Sequence, residues 1–142
     1  MKDEVFLDAS YAIALSSPAD ERHDRARELA ERIEAEETRL VTTRAVILEI
    51  GNALSGLRYR RAAIELLDAL EGDPAVDIVP LTEQSYERSL HLYRERPDKE
   101  WGLTDCLSFV VMEGLGLTDA LTADGHFHQA GFRALLREDL PR

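Results

Sequence analysis

Short apolar runs that close on polar or acidic residues alternate with longer stretches of helical periodicity, and this alternation restricts the fold more than any other feature. Val5-Phe6-Leu7 closes on Asp8, Leu40-Val41-Thr42 on Thr43, and Val76-Asp77-Ile78-Val79 on Pro80. Ala120-Leu121-Thr122 leads to Asp124, and a last strand is expected from Ala134 to Leu136, followed by a polar tail. The order reads β-α-α-β-α-α-β-α-α-β-α-β. Such an α/β chain needs right-handed crossovers and a mainly parallel sheet of four or five strands covered on both faces. Ligands of such sheets bind outside the carboxyl ends of the strands, where the strand order switches.

The intervening segments are readable as helices. Tyr11 to Leu15 makes a short one, broken by Ser16-Ser17-Pro18. Asp20 to Glu37 carries Ala26, Leu29, Ala30 and Ile33 at helical spacing beneath a solvated charged face, with His23 expected at the surface. Thr43 caps a helix from Arg44 to about Ser55. The basic cluster Arg58-Tyr59-Arg60-Arg61 precedes a helix from Ala62 to Leu70 that Gly72-Asp73-Pro74 ends. Thr82 caps a helix to about Glu95, with Tyr86, Leu90 and Tyr93 expected inward and His91 at the surface or packed.

The stretch from Trp101 to Phe127 carries the most chemistry. Thr104 is placed to cap the next helix, whose apolar stripe is Leu103, Cys106, Leu107, Val110 and Val111. Phe109 and Met112 fall off that stripe, so the helix is apolar nearly all round and should be buried. Asp105 then lies in its first turn, at the positive end of the helix dipole. Gly114-Leu115-Gly116 stops the helix.

Composition bounds the function classes. At 142 residues the chain is read as one domain, residues 1–142, with no apolar run near the ~20 residues of a membrane span. The opening Met1-Lys2-Asp3-Glu4 is acidic and runs straight into a strand, unlike a secretory leader. A single cysteine, Cys106, on a core face fits a reducing cytoplasm. The net charge of −11 argues against generic coating of nucleic acid, which needs an excess of Lys and Arg.

Asp8 and Asp124 follow strands, while Glu49 and Asp105 lie on intervening helices, so all four can reach one end of the sheet. Glu49 shares its helix face with Ala45, Asn52, Ala53 and Gly56, small or polar neighbours that admit a second backbone and bring the acid into a cleft. Asp119 begins its strand rather than ending it and is set aside. Two carboxylates about 5 Å apart repel by roughly 3 kcal/mol at an effective dielectric of ~20. Four together take up protons or recruit cations. Oxygen ligands suit Mg²⁺ or Mn²⁺, and the lack of paired Cys or closely spaced His pairs on helices argues against zinc. Metal ions so held activate water for phosphodiester displacement. Arg58, Arg60 and Arg61 are candidates for touching phosphates or an acidic partner.

On particular residues the sequence resembles the PIN-domain family, of the VapC kind found in toxin–antitoxin pairs. These residues are Phe6-Leu7-Asp8-Ala9-Ser10, Val46 to Asn52 with Glu49, Leu103-Thr104-Asp105-Cys106 with Phe109, and Ala120 to Phe127 with Gln129-Ala130-Gly131-Phe132. The resemblance implies an α/β/α sandwich and a metal-dependent ribonuclease preferring single strands. It makes Asp8 and Asp105 the principal metal ligands, with Glu49 completing the site or acting through water and Asp124 as fourth acid. Ser10, Thr104 and Thr122 are expected to orient the carboxylates, and His126 to pack or bond locally. The implied partners are RNA, an antitoxin whose basic or aromatic tail covers the acidic cleft, and a second copy of the chain. A PIN-like scaffold that binds a protein partner without cutting is the competing expectation.

Overall fold

The structure is a computed structural model that describes residues 1–138. The strands are β1 (Glu4–Leu7), β2 (Arg39–Thr43), β3 (Val76–Val79), β4 (Asp119–Leu121) and β5 (Arg133–Ala134). The helices are α1 (Ala9–Ser16), α2 (His23–Glu36), α3 (Arg44–Ala53), α4 (Arg60–Gly72), α5 (Glu83–Glu95), α6 (Leu103–Leu115) and α7 (Gly125–Gln129). All strand pairs are parallel, in the order β3-β2-β1-β4-β5. The expected succession of elements therefore holds. The chain builds outward from β1 to β2 and β3, then returns to lay β4 on the other side of β1. That reversal opens a crevice beyond the carboxyl ends of β1 and β4.

β1 is central, with helices on both faces, and Val5, Phe6 and Leu7 are all buried. Phe6 pairs with Ala120 and Leu7 with Leu121, and the Asp8 amide donates to the Leu121 carbonyl at 3.2 Å. This register sets Asp8 beside Thr122. Thr43 caps α3 as expected, accepting from the Val46 amide at 3.1 Å. Thr82 caps α5 in a reciprocal pair with Ser85. Gly116 ends α6 at φ 69°, in the left-handed region.

Several expectations shift. The last strand is only Arg133–Ala134; Leu135–Arg137 forms a 3₁₀ turn whose Leu136 amide donates to the Thr122 carbonyl at 3.1 Å. The expected polar tail lies, beyond Glu138, outside the described residues. On α5, Tyr86 and Tyr93 are exposed; the buried residue is Ser89, with Leu92 partly buried beside the core. The helical spacing holds, with Leu90 partly buried, but the buried face of α5 is turned toward Ser89 and Leu92 and away from the tyrosines. His23 is not a plain surface residue, since its Nδ1 lies 2.8 Å from the Ala14 carbonyl and ties α2 to α1.

On α6 the buried residues are Cys106, Leu107, Ser108, Phe109, Val111 and Met112, while Leu103 is exposed. The two apolar residues that fell off the predicted stripe are therefore core. Phe109 meets Trp101 at 5.0 Å, Phe127 at 5.0 Å and Phe132 at 5.7 Å, and Phe127 in turn meets Phe6 at 6.1 Å. Both 5.0 Å contacts are edge-to-face, the arrangement that the ring quadrupoles favour. Trp101 also donates to Gln129 at 3.1 Å and lies under the Arg96 guanidinium. Phe109→Ala is expected to cost about 3–5 kcal/mol and Phe109→Leu less than half of that, read from denaturant midpoints at unchanged m-value.

Candidate functional site

Asp8 follows β1 directly and occupies the N-cap position of α1, yet its side chain makes no capping bond. Its Oδ2 instead accepts from the Thr122 hydroxyl at 2.7 Å and the Ser10 hydroxyl at 2.9 Å. Those hydroxyls are themselves fixed from the backbone. Ser10 Oγ accepts the Ala123 amide at 2.9 Å, and Thr122 Oγ1 accepts the Asp124 amide at 3.0 Å. The loop after β4 is thus laced to the end of β1 through two hydroxyl groups. Asp124 caps α7 by accepting from the His126 amide at 2.8 Å.

Asp105 lies in the first turn of α6 as expected, but Thr104 is not the cap. The helix starts two residues earlier, Gly102 takes the N-cap position, and the Gly102 amide donates to Asp105 Oδ2 at 3.1 Å. Thr104 turns its side chain to Glu49 and hydrogen-bonds it.

The four acids act on one another electrostatically. Burial raises the Asp8 carboxyl above the ordinary carboxylate range against the opposing hydrogen bonds from Thr122, Ser10 and the Ala9 backbone, and the Asp105 charge adds to the rise. Glu49, half-buried, is also raised, first by desolvation and then by the Asp8 charge; the Thr104 hydrogen bond opposes this, and Asp105 and Asp124 add to it. Asp8, Glu49, Asp105 and Asp124 therefore lie near enough for their charges to act on one another.

His126 belongs to the same cluster. Its Nδ1 lies 3.1 Å from Asp105 Oδ2 and 3.4 Å from Asp124 Oδ1. Asp105, Asp124 and His126 each offer an atom within 4.8 Å of the others, a spacing at which one metal ion can be shared. This donor set is rich in carboxylate oxygen and fits a hard divalent cation. The sequence pattern had placed His126 beside the site and not in it. The signal available was its position two residues after Asp124, where a short helix turns it back.

Residues 5–133 match the family model of the PIN domain. The chain belongs to the PIN-domain family. Among curated proteins it is similar to the 23S rRNA-specific endonuclease VapC20 of two strains of Mycobacterium tuberculosis, 29% identical over 129 residues, which covers 90% of this chain and 95% of the relative. Among solved structures it is similar to the crystal structure of Mycobacterium tuberculosis VapC20, described as a Sarcin-Ricin loop cleaving toxin. That likeness has a TM-score of 0.79 at 28% identity and covers 90% of this chain and 95% of that one.

Not every candidate joins the pocket of this PIN domain. Among the described residues, no hydrogen bond or ion pair links Arg58, Arg60 or Arg61 to the acids. Arg58 lies over the Tyr59 ring, and Arg60 donates to the Ser55 carbonyl. Asp119, fully buried at the opposite end of β4, accepts from the Lys2 amide at 3.2 Å and sits 3.5 Å from Arg133. Its role is to tie the chain start to β4.

The raised Glu49 carboxyl has a definite sign in stability. Below the ordinary carboxylate range the group is protonated whether the chain is folded or not, and it costs nothing. As pH rises from the ordinary carboxylate value through the elevated folded one, the unfolded chain ionises first and the fold weakens, the loss being complete above the folded value. Glu49→Gln should therefore melt higher than the native chain at pH 7 without added metal. The expected gain is about 3 °C, held to roughly 1 kcal/mol by partial solvent screening. Melting curves between pH 4 and pH 7 should show this gain vanish at the acid end.

Proposed function

We propose that this chain is a metal-dependent endoribonuclease that hydrolyses RNA phosphodiesters and serves as the toxin of a toxin–antitoxin pair. The observation that carries this reading is the meeting of Asp8, Glu49, Asp105 and Asp124 at the switch point of the sheet. The likeness to a 23S rRNA-specific endonuclease over nearly the whole of both chains supports the same chemistry. Asp8 and Asp105 are proposed as principal ligands of Mg²⁺ or Mn²⁺, with Asp124 as a further ligand and Glu49 completing the site directly or through water. A bound divalent cation supplies Lewis acidity and a water of lowered pKa.

The protein's own contribution is positioning. Thr122 and Ser10 hold one oxygen of Asp8, which leaves the other for a cation. Thr104 orients Glu49. His126 bonds Asp105 and sits within 3.4 Å of Asp124, keeping these two carboxylates facing one point. Such support of ligands by neighbouring groups commonly changes metal affinity by about 10–100-fold.

The proposed partners are an RNA substrate, a cognate antitoxin and a second copy of the chain, all in the cytoplasm. An antitoxin with a basic tail complements the acidic pocket electrostatically. Around the turn between α3 and α4, Leu48, Leu57 and Ile64 are exposed, at 59%, 95% and 52%, which offers apolar surface to a partner. No helix of the described residues is long and apolar enough to cross a membrane.

Asp105→Asn is expected to lower cleavage of structured RNAs by about 100-fold or more in Mg²⁺ or Mn²⁺. Calorimetric titration should show Mn²⁺ binding to the native chain that weakens by at least about tenfold in this variant. Equal cleavage by the two proteins would remove the assigned site. Absent Mn²⁺ binding, with Asp8→Ala altering only stability, would favour the scaffold reading instead.

A further inference from the structure

Beside the acid pocket the structure gathers arginines that no step above uses. Arg22, at the N-cap of α2, donates from Nη1 to the Leu136 carbonyl at 2.6 Å, and Arg25 Nη1 reaches the same carbonyl at 3.4 Å. Arg137, at the end of the 3₁₀ turn, donates to the Ala123 carbonyl at 3.2 Å. These three residues, with Glu21 and Leu136, line a cleft of about 350 Å³. The cleft borders the acid pocket directly. Ala123 precedes Asp124, and a Cβ added at Gly125 would stand 3.7 Å from the Arg137 guanidinium carbon. The Leu136 amide holds the Thr122 carbonyl, and the Thr122 hydroxyl holds Asp8.

Charge makes the arrangement unusual. The chain carries a net charge of −11, and acids outnumber Lys and Arg by 28 to 17. Among the described residues, Arg22 and Arg137 direct their side-chain bonds to backbone carbonyls, which are neutral, and neither forms an ion pair with a carboxylate. A guanidinium has five N–H donors, and one bond to a carbonyl leaves the others and the full charge available. Among the described residues Glu21 is the one acid lining the cleft, set against the two guanidinium groups of Arg22 and Arg137. The 14-residue α2 begins there, which adds the positive end of its dipole. By contrast, Arg58, Arg60 and Arg61 have no described contact with the residues of the acid pocket.

We infer that Arg22 and Arg137 form a phosphate-binding subsite that grips a backbone phosphate of the RNA next to the one being cleaved. The inference rests on the nuclease reading and gives it a substrate contact. A strand laid across an acidic pocket is repelled wherever no cation intervenes, and a fixed guanidinium cleft at its rim offsets that repulsion. Phosphate contacts of this kind position the chain without reading its sequence. They therefore act on substrate binding rather than on the chemical step.

Two measurements separate the subsite from the reading on which it rests. The first is steady-state cleavage of a mixed-sequence single-stranded RNA in Mn²⁺ by the native chain, Arg137→Ala, Arg22→Ala and the charge-keeping Arg22→Lys. The second is fluorescence anisotropy of the same RNA, labelled, on proteins carrying Asp105→Asn so that it stays whole. We expect KM to rise about tenfold in each alanine variant with kcat within about twofold, and the salt slope of binding to fall by about one per arginine removed. Arg22→Lys should lose less than Arg22→Ala. Arg32→Ala, on the outer exposed face of α2, should match the native chain. Because Arg137 is exposed, its variant reports even if Arg22→Ala destabilises the protein. Unchanged KM and salt slope in Arg137→Ala and Arg22→Lys, with cleavage intact, would overturn the subsite and leave the nuclease standing. If the native chain cuts nothing, the nuclease reading fails, and anisotropy alone decides whether these arginines bind phosphate.

Discussion

The packing of Phe127 between Phe6 and Phe109 is the contact on which the rest of the structure depends. Each ring is anchored close to one of the acids. Phe6 lies two residues before Asp8, Phe109 one helical turn after Asp105, and Phe127 three residues after Asp124. One buried aromatic column thereby sets the relative positions of β1, α6 and α7, and three carboxylates follow from it. Such contacts are non-polar and buried, so their strength survives the charge that accumulates just above them. Trp101 and Phe132 widen the column and brace the loop before α6 and the turn after α7.

Above the column the protein tolerates a cost that a structural protein would have no reason to bear. Asp8 is almost fully buried, and both it and Glu49 are held above the ordinary carboxylate range. The hydroxyls of Ser10 and Thr122 and the amides they accept reduce this cost without cancelling it. A group strained toward neutrality is a natural place to receive a cation. The arginine cleft beside it, reached through Ala123 and Leu136, places positive charge where the backbone of a bound strand would leave the pocket. Acid pocket and basic rim are joined by the same backbone segment after β4.

The order of elements was legible because short apolar runs closed by polar residues differ in length from the longer stretches of helical period. Thr43, Thr82 and Gly116 were legible as caps and stop for a local reason, since a cap is a bond within a few residues. The errors lie where a neighbour decides. Tyr86 and Tyr93 share a helical face on α5, yet they are exposed and the helix buries Ser89 instead, a choice set by what packs against it and not by its own pattern. On α6, by contrast, Phe109 and Met112 off the main stripe marked a helix buried nearly all round, and both are core. Thr104 offered a cap that the helix did not need once Gly102 had opened it.

Sequence alone determined that strands would alternate with helices in a parallel sheet, and that Asp8 and Asp124 would end strands with Asp105 opening a helix. These are properties of local backbone preference and of chain order. Only the tertiary structure decided that Glu49 would feel the charges of all three, that His126 would bond Asp105, and that arginines from α2 and the final turn would converge beside Asp124. Those relations join residues far apart in the chain. Their distances depend on strand register and on how the aromatic column packs, and neither is written in any one segment.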